Sequence, residues 1–124
     1  KATLTNYRQS PRKVRTVATA MKGKNVSRAD VELSFMPKRA ADPIKKLIAS
    51  AVANAKVQGI DTTNLIVKTI EVNKGLVMKR FMPRAMGVAH PIRKKMSHVT
   101  LTLAEAVEKP KKVVAKKAVA KKSK

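Results

Sequence analysis

The chain of 124 residues is long enough for one folded unit plus tails, and its 29 Lys and Arg against 7 Asp and Glu give a formal net charge of +22. That imbalance makes a compact state repel itself and calls for a polyanionic partner: nucleic acid, anionic membrane or acidic protein. The absence of Cys excludes disulfides, thiolate metal sites and a cysteine nucleophile, and no apolar run approaches the roughly 20 residues of a membrane-spanning helix.

The first element, Ala2 to Tyr7, alternates like a short strand that adds to a sheet. Ser10-Pro11 then reads as a helix start, with Ser10 at the N-cap and Pro11 at the first helical position. Val14, Val17, Ala18 and Met21 follow at helical spacing and form one buried stripe, while Arg12, Lys13 and Arg15 lie off it. Gly23 stops this helix. A second short helix is expected to begin at Ser27, where Ser27-Arg28-Ala29-Asp30 has the form of a capping box and Val26 could staple the chain. Pro37 ends that segment or opens the next. The third helix carries Ile44, Leu47, Ile48, Ala51, Val52 and Ala55 at offsets of three and four, with Lys45, Lys46 and Lys56 on its other faces, and Gly59 ends it.

Beyond Gly59 the period changes. Leu65 to Val72 and Ser97 to Leu103 are rich in β-branched residues and alternate as strands do. In the second, Val99, Leu101 and Leu103 are expected to face the helices and His98, Thr100 and Thr102 to face away. The residues between, Lys74 to Met96, fit two extended arms of one long hairpin turning near Arg84 to Gly87. About ten residues per arm at roughly 3.3 Å each project some 30 Å beyond the body. A ribbon that long cannot bury its faces on its own domain, and two strands alone are marginal in water. Another molecule has to hold it.

The core that supports this ribbon is light. Apolar residues make up 44% of the chain, but there is no Trp, one Tyr (Tyr7) and two Phe (Phe35, Phe81). Small domains with light cores gain little from burial alone, so a bound polyanion would add stability by linkage. The last stretch, Lys109 to Lys124, is a low-complexity tail in which 8 of 16 residues are Lys, a composition expected to be disordered in isolation. The N-terminus lacks an apolar signal core, since Thr5, Asn6 and Arg8 interrupt it. The expectation is a soluble, cytoplasmic protein.

Chemistry of recognition dominates over chemistry of catalysis. From Lys74 to Lys95 there are seven Lys or Arg (Lys74, Lys79, Arg80, Arg84, Arg93, Lys94, Lys95) and no acid. Neutralising phosphates releases counterions whatever the base sequence, and Arg also grips phosphate bidentately or stacks on unpaired bases. A solvated basic loop is the bland alternative, but it does not explain a long ribbon without a core. Arg8, Arg12, Lys13, Arg15, Lys22 and Lys24 form a second basic surface around the first helix, and His98, Lys111 and Lys112 complete the expected RNA contacts. Met78, Met82, Met86 and Met96, without a core to fill on a ribbon, are suited to irregular clefts in RNA. The two His lack metal-ligand spacing, the acids form no close pair apart from Asp30 and Glu32, and no Gly-rich phosphate loop or nucleophile elbow occurs. No cofactor, metal or small-molecule substrate is expected, and no enzyme. A free-standing nucleic-acid-binding or chaperone-like protein is the competing reading.

The segments Ser10-Pro-Arg-Lys-Val-Arg, Ala49-Ser-Ala-Val-Ala-Asn-Ala, Lys79-Arg-Phe-Met-Pro-Arg-Ala-Met-Gly and Ile92-Arg-Lys-Lys-Met-Ser-His-Val-Thr, in that order, resemble the bacterial large-subunit ribosomal protein family numbered twenty-two. The likeness runs from about Thr3 to Leu103. It implies an α+β fold, three helices packed on a small antiparallel sheet with a long protruding hairpin and a basic C-terminal tail. Residues 1–108 would then form a single domain with the hairpin at about 73–96, and 109–124 the tail. It further implies contact with large-subunit ribosomal RNA and a part in subunit assembly. The tip, here Met82, Pro83, Arg84, Ala85, Met86, Gly87 and Val88, would line the nascent-peptide exit tunnel beside ribosomal protein four. The nascent peptide would pass that tip, and macrolide antibiotics would bind nearby. Met86 and Val88 stand where family members often carry a basic residue, so this tip is more apolar. Pro91 removes one ladder donor from the returning strand, and a bulge or irregular pairing is expected there.

Overall fold

The computed structural model describes residues 1–105, so the basic tail, Lys111 and Lys112 included, lies outside the described residues. The elements are β1 (Ala2–Tyr7), α1 (Pro11–Met21), α2 (Val26–Phe35), α3 (Ala41–Val57), β2 (Leu65–Pro83), a 3-10 turn (Ala85–Gly87) and β3 (Ala89–Glu105). The sheet order is β1-β3-β2 and both pairings are antiparallel. This is the α+β arrangement expected, three helices against a small antiparallel sheet.

The helical stripes explain the packing. Val14, Val17, Ala18 and Met21 of α1, Ala29 and Leu33 of α2, and Ile44, Leu47, Ile48 and Ala51 of α3 meet Val67, Val72, Val99 and Leu101 from the sheet in one core. Leu103 packs on its margin, only partly buried. Pro11 occupies the first turn of α1, and the Ser10 carbonyl accepts from the Lys13 and Val14 amides, although the Ser10 side chain makes no cap bond. Gly23, at φ +80°, takes the left-handed conformation that lets the chain leave α1 and donate its N–H to the Val67 carbonyl at 2.8 Å.

The start of α2 differs from the expected capping box at Ser27. Asn25 is the N-cap: its side-chain oxygen accepts from the Ser27 amide at 3.0 Å, and the Ala29 amide bonds the Asn25 carbonyl. Asn25 also forms an isolated bridge with Ile66 of β2. The helix thus starts two residues earlier than the Ser27 box suggests, on a cap that Asn25 makes itself. Asp30, freed from a cap role, reaches Lys45 of α3 at 3.6 Å, and Lys45 also donates to the Ser34 hydroxyl at 2.8 Å.

β2 and β3 are continuous from the core to the tip, paired from Leu65–Glu105 out to Pro83–Ala89. From Lys74 to Pro83 the outgoing arm projects about 30 Å at ~3.3 Å per residue, and every residue from Lys79 to Lys95 is exposed. The irregularity expected at Pro91 is not there. Pairing runs evenly through Arg80–Ile92, Phe81–Pro91 and Met82–His90. The bond from the Arg84 amide to the Val88 carbonyl sets the ladder's parity and places Phe81–Pro91 at a non-hydrogen-bonded pair. At such a position the nitrogen points outward and its missing hydrogen costs nothing. The ladder shifts register at two other places, at Lys68 within the body and at the neck, where Gly75 and Leu76 together oppose Met96. A Cβ on Gly75 would stand 3.1 Å from His98 Nε2 and 3.2 Å from the Met96 carbonyl carbon, so glycine allows the strands to close there. Bulges bend a strand and raise its twist, which sets the direction in which the ribbon leaves the sheet.

Two further contacts hold the neck. Arg15 of α1 donates from Nε and Nη2 to the Val72 carbonyl, at 3.2 and 2.8 Å. At the end of β1, Asn6 adopts φ 54° and donates its N–H to His98 Nδ1 at 3.1 Å. Replacing Arg15 with Met keeps the aliphatic stem but removes both charged donors. Hydrogen bonds to charged groups contribute about 1.5–3 kcal/mol, so R15M is expected to lower stability by about 1–3 kcal/mol. Urea unfolding should show this as a lower midpoint with an unchanged slope.

Candidate nucleic-acid interface

Charge is segregated along the chain before it is segregated in space. No Asp or Glu occurs in residues 1–29 or 72–104, and these stretches supply β1, α1 and the projecting parts of β2 and β3. The ion pairs among the described residues lie away from the ribbon: Lys24 and Arg28 with Glu32, and Lys45 with Asp30. No cation of the ribbon has an ion-pair partner among the described residues.

The expected contact residues divide into groups by what they touch. Lys74, Lys79, Arg80, Arg84, Arg93, Lys94 and Lys95 are exposed along the ribbon, and Arg80 folds back to donate to the Lys79 carbonyl at 2.8 Å. Arg8, Arg12 and Lys13 are exposed beside the neck, and Lys22 is exposed at the far end of α1. Arg15, Lys24 and His98 have partners within the fold: the Val72 carbonyl, the Glu32 carboxylate and the Asn6 amide. His98 accepts through Nδ1, which requires that nitrogen to be unprotonated.

The ribbon presents two faces of the same character. Strand alternation puts Val77, Lys79 and Phe81 with Pro91, Arg93 and Lys95 on one face, and Met78, Arg80 and Met82 with His90, Ile92 and Lys94 on the other. Each face mixes cations with apolar groups: Phe81 is 74% and Met82 50% exposed. At the tip, Met86 is fully exposed and takes φ 58°, followed by Gly87 at φ 68°. A left-handed methionine is a strained turn residue.

Two clefts open where the ribbon leaves the body. One, of about 310 Å³, lies between the start of α1 and the bulge; the other, of about 470 Å³, lies between the loop after β1 and the returning strand. Ser10, Lys95 and Met96 border both. The larger holds Arg39 together with Arg8, Lys13, Lys94 and Lys95. Sequence reasoning missed Arg39, which stands in the short connection before α3. Tyr7 marks its placement: the phenol donates to the Arg39 carbonyl at 3.1 Å. Burial pushes the Tyr7 hydroxyl's pKa up; the Arg39 charge opposes that rise and the Asp42 charge reinforces it. Gly75 was also missed, although a glycine inside a strand pattern is the usual signal of a bulge. Among the described residues no three His, Asp or Glu side chains converge as metal ligands, and no helix is long and apolar enough to cross a membrane.

Glu32 receives Lys24 on one oxygen and Arg28 on the other. The hydrogen bond from Lys24 depresses its pKa most, with burial opposing and Arg28 adding to the lowering. A depressed carboxylate stabilises the fold above its ordinary value of 4.5 and loses that contribution as pH falls through the depressed value. The stability difference between the native chain and E32Q is therefore expected to be constant at neutral pH and to vanish in acid, as followed by thermal unfolding at stepped pH.

Comparison with known proteins agrees with this arrangement. The family model described as ribosomal protein L22p/L17e matches residues 2–104. The large ribosomal subunit protein uL22 of Myxococcus xanthus is 54% identical over 102 residues, covering 80% of this chain and 90% of that protein. The uL22 of Trichlorobacter lovleyi is 50% identical over 105 residues, covering 84% and 93%. That of Desulfitobacterium hafniense (strain DSM 10664 / DCB-2) is 50% identical over 109 residues, covering 87% and 96%. With the match spanning every described element, the chain belongs to the ribosomal protein L22p/L17e family of the large ribosomal subunit.

Proposed function

We propose that this chain is a structural, non-catalytic component of the cytoplasmic large ribosomal subunit that binds large-subunit ribosomal RNA through its ribbon and neck. The observation that carries the reading is the ribbon itself: exposed on both faces from Lys79 to Lys95 and free of acid. A ribbon docked on one partner surface needs one apolar face and one wet face. Here both faces mix cations with apolar side chains, which suits enclosure by phosphate backbone on two sides. Enclosure also supplies what a lone two-stranded ribbon lacks in water, a surface that holds it.

On this reading the neck orients the ribbon, its cations neutralise converging phosphates, and Met82 to Val88 reach the deepest point. The apolar, exposed Met86 and Val88 suit a position facing a channel more than a phosphate. In the family's terms, that is a tip lining the nascent-peptide exit tunnel near ribosomal protein four, with the passing peptide as a transient neighbour. Charge neutralisation between RNA segments is also what an assembly role requires, since it removes the repulsion that opposes their approach.

Converting Arg80, Arg84 and Arg93 together to Gln should weaken binding to a large-subunit RNA fragment. Each lost phosphate contact lowers the slope of log K against log salt by about 0.7–1, so a drop of roughly two to three is expected. An unchanged slope would show that these side chains touch no phosphate. Sucrose-gradient sedimentation of tagged protein in lysate gives the cellular test. Co-migration with large subunits that survives high salt is expected of an enclosed ribbon, whereas stripping by modest salt indicates a peripheral protein.

A further inference from the structure

The two clefts at the neck have complementary chemistry. The smaller is mostly apolar, lined by Pro11, Val77 and Met96 with Gly75 at the bulge, and Arg12 and Lys74 also line it. The larger gathers Arg8, Lys13, Arg39, Lys94 and Lys95 without an acid. A free phosphate would satisfy the larger cleft alone and leave the apolar one empty. A nucleotide in a strand has both parts: a flat base with apolar faces, and charged phosphates on either side of it. We infer that the neck binds one unstacked nucleotide of single-stranded RNA, its base against Pro11, Val77 and Met96 and its flanking phosphates on the five cations of the adjoining cleft.

Several features of the fold support this placement. Ser10, Lys95 and Met96 border both clefts, so the two adjoin one another. A volume of about 310 Å³ lies at the small end of the range of ligand clefts, which suits one base rather than a stacked pair. Methionine is polarisable and conforms to a flat ring, and splayed-out bases are the usual object of sequence-specific RNA recognition. Arg15 lines the same cleft, but its guanidinium is committed to the Val72 carbonyl. It therefore acts as a wall. An acidic peptide could meet the five cations, yet it offers no flat apolar group between regularly spaced charges.

This inference rests on the RNA-binding reading, and the test separates the two. The full chain is titrated by fluorescence anisotropy with a labelled adenosine pentamer and with the same pentamer lacking its central base. Burying one base face on Pro11, Val77 and Met96 is an apolar contact that the abasic pentamer cannot make, so loss of the base should weaken binding by about fivefold or more. A pentamer with central 4-thiouridine, irradiated on the protein, should crosslink to peptides containing Pro11, Val77 or Met96. Equal affinity for the two pentamers, or crosslinks confined to residues 79–93, would overturn the nucleotide cleft while leaving charge-driven RNA binding intact. Binding to neither pentamer would overturn both readings. Tighter binding of pentaglutamate than of the adenosine pentamer would overturn the cleft in favour of an acidic protein segment.

Discussion

A two-stranded ribbon about 30 Å long has no core, so its direction must be fixed where it leaves the sheet. The neck does this with contacts from three sides. Arg15 ties α1 to the Val72 carbonyl, Asn6 ties the end of β1 to His98, and the bulge at Gly75 and Leu76 bends β2 against Met96. Tyr7 pairs with Ser97 at the last rung β1 shares with β3, and Ser97 is fully buried. Beyond the two clefts at the neck, every strand residue from Lys79 to Lys95 is exposed. Small angular changes at the neck become large displacements at a tip so far away, which explains the density of hydrogen bonds there on an otherwise light core.

The same geometry organises charge. Acids are absent from the stretches that build β1, α1 and the ribbon, and the described ion pairs collect around α2 and α3 instead. Cations on the ribbon and neck thus remain available to an outside polyanion. The arrangement costs stability in the free protein through self-repulsion and returns it on binding, since a ligand that binds only the folded chain stabilises it by mass action. Arg15, Lys24 and His98 lie within the basic regions yet have partners inside the fold. A count of basic residues therefore overstates how many are free for phosphate.

Much of this was legible in the amino-acid order because it follows from local rules. The stripe Val14, Val17, Ala18 and Met21, the Ser10-Pro11 start, the third helix and the two alternating strands all appear where 3.6- and 2-residue periods place them. The turn falls at Arg84 to Val88 because Gly87 accepts a positive φ. Motif order from Ser10 to Thr100 sufficed to suggest the family that the comparison then established.

Composition and periodicity by themselves determined the three helical stripes, the alternating strands, the long acid-free hairpin and the need for a polyanion, since these depend only on which residues recur at which spacing and on summed charge. Tertiary structure alone decided what depends on neighbours distant in the chain. Ladder parity made Pro91 harmless, and the approach of Asn25 to Ile66 joined the start of α2 to the sheet. Packing of α1 on β2 turned Arg15 from a free cation into a tie. Folding of the connection before α3 carried Arg39 to within one cleft of Lys94, an encounter that sequence separation conceals because no local period links the two residues.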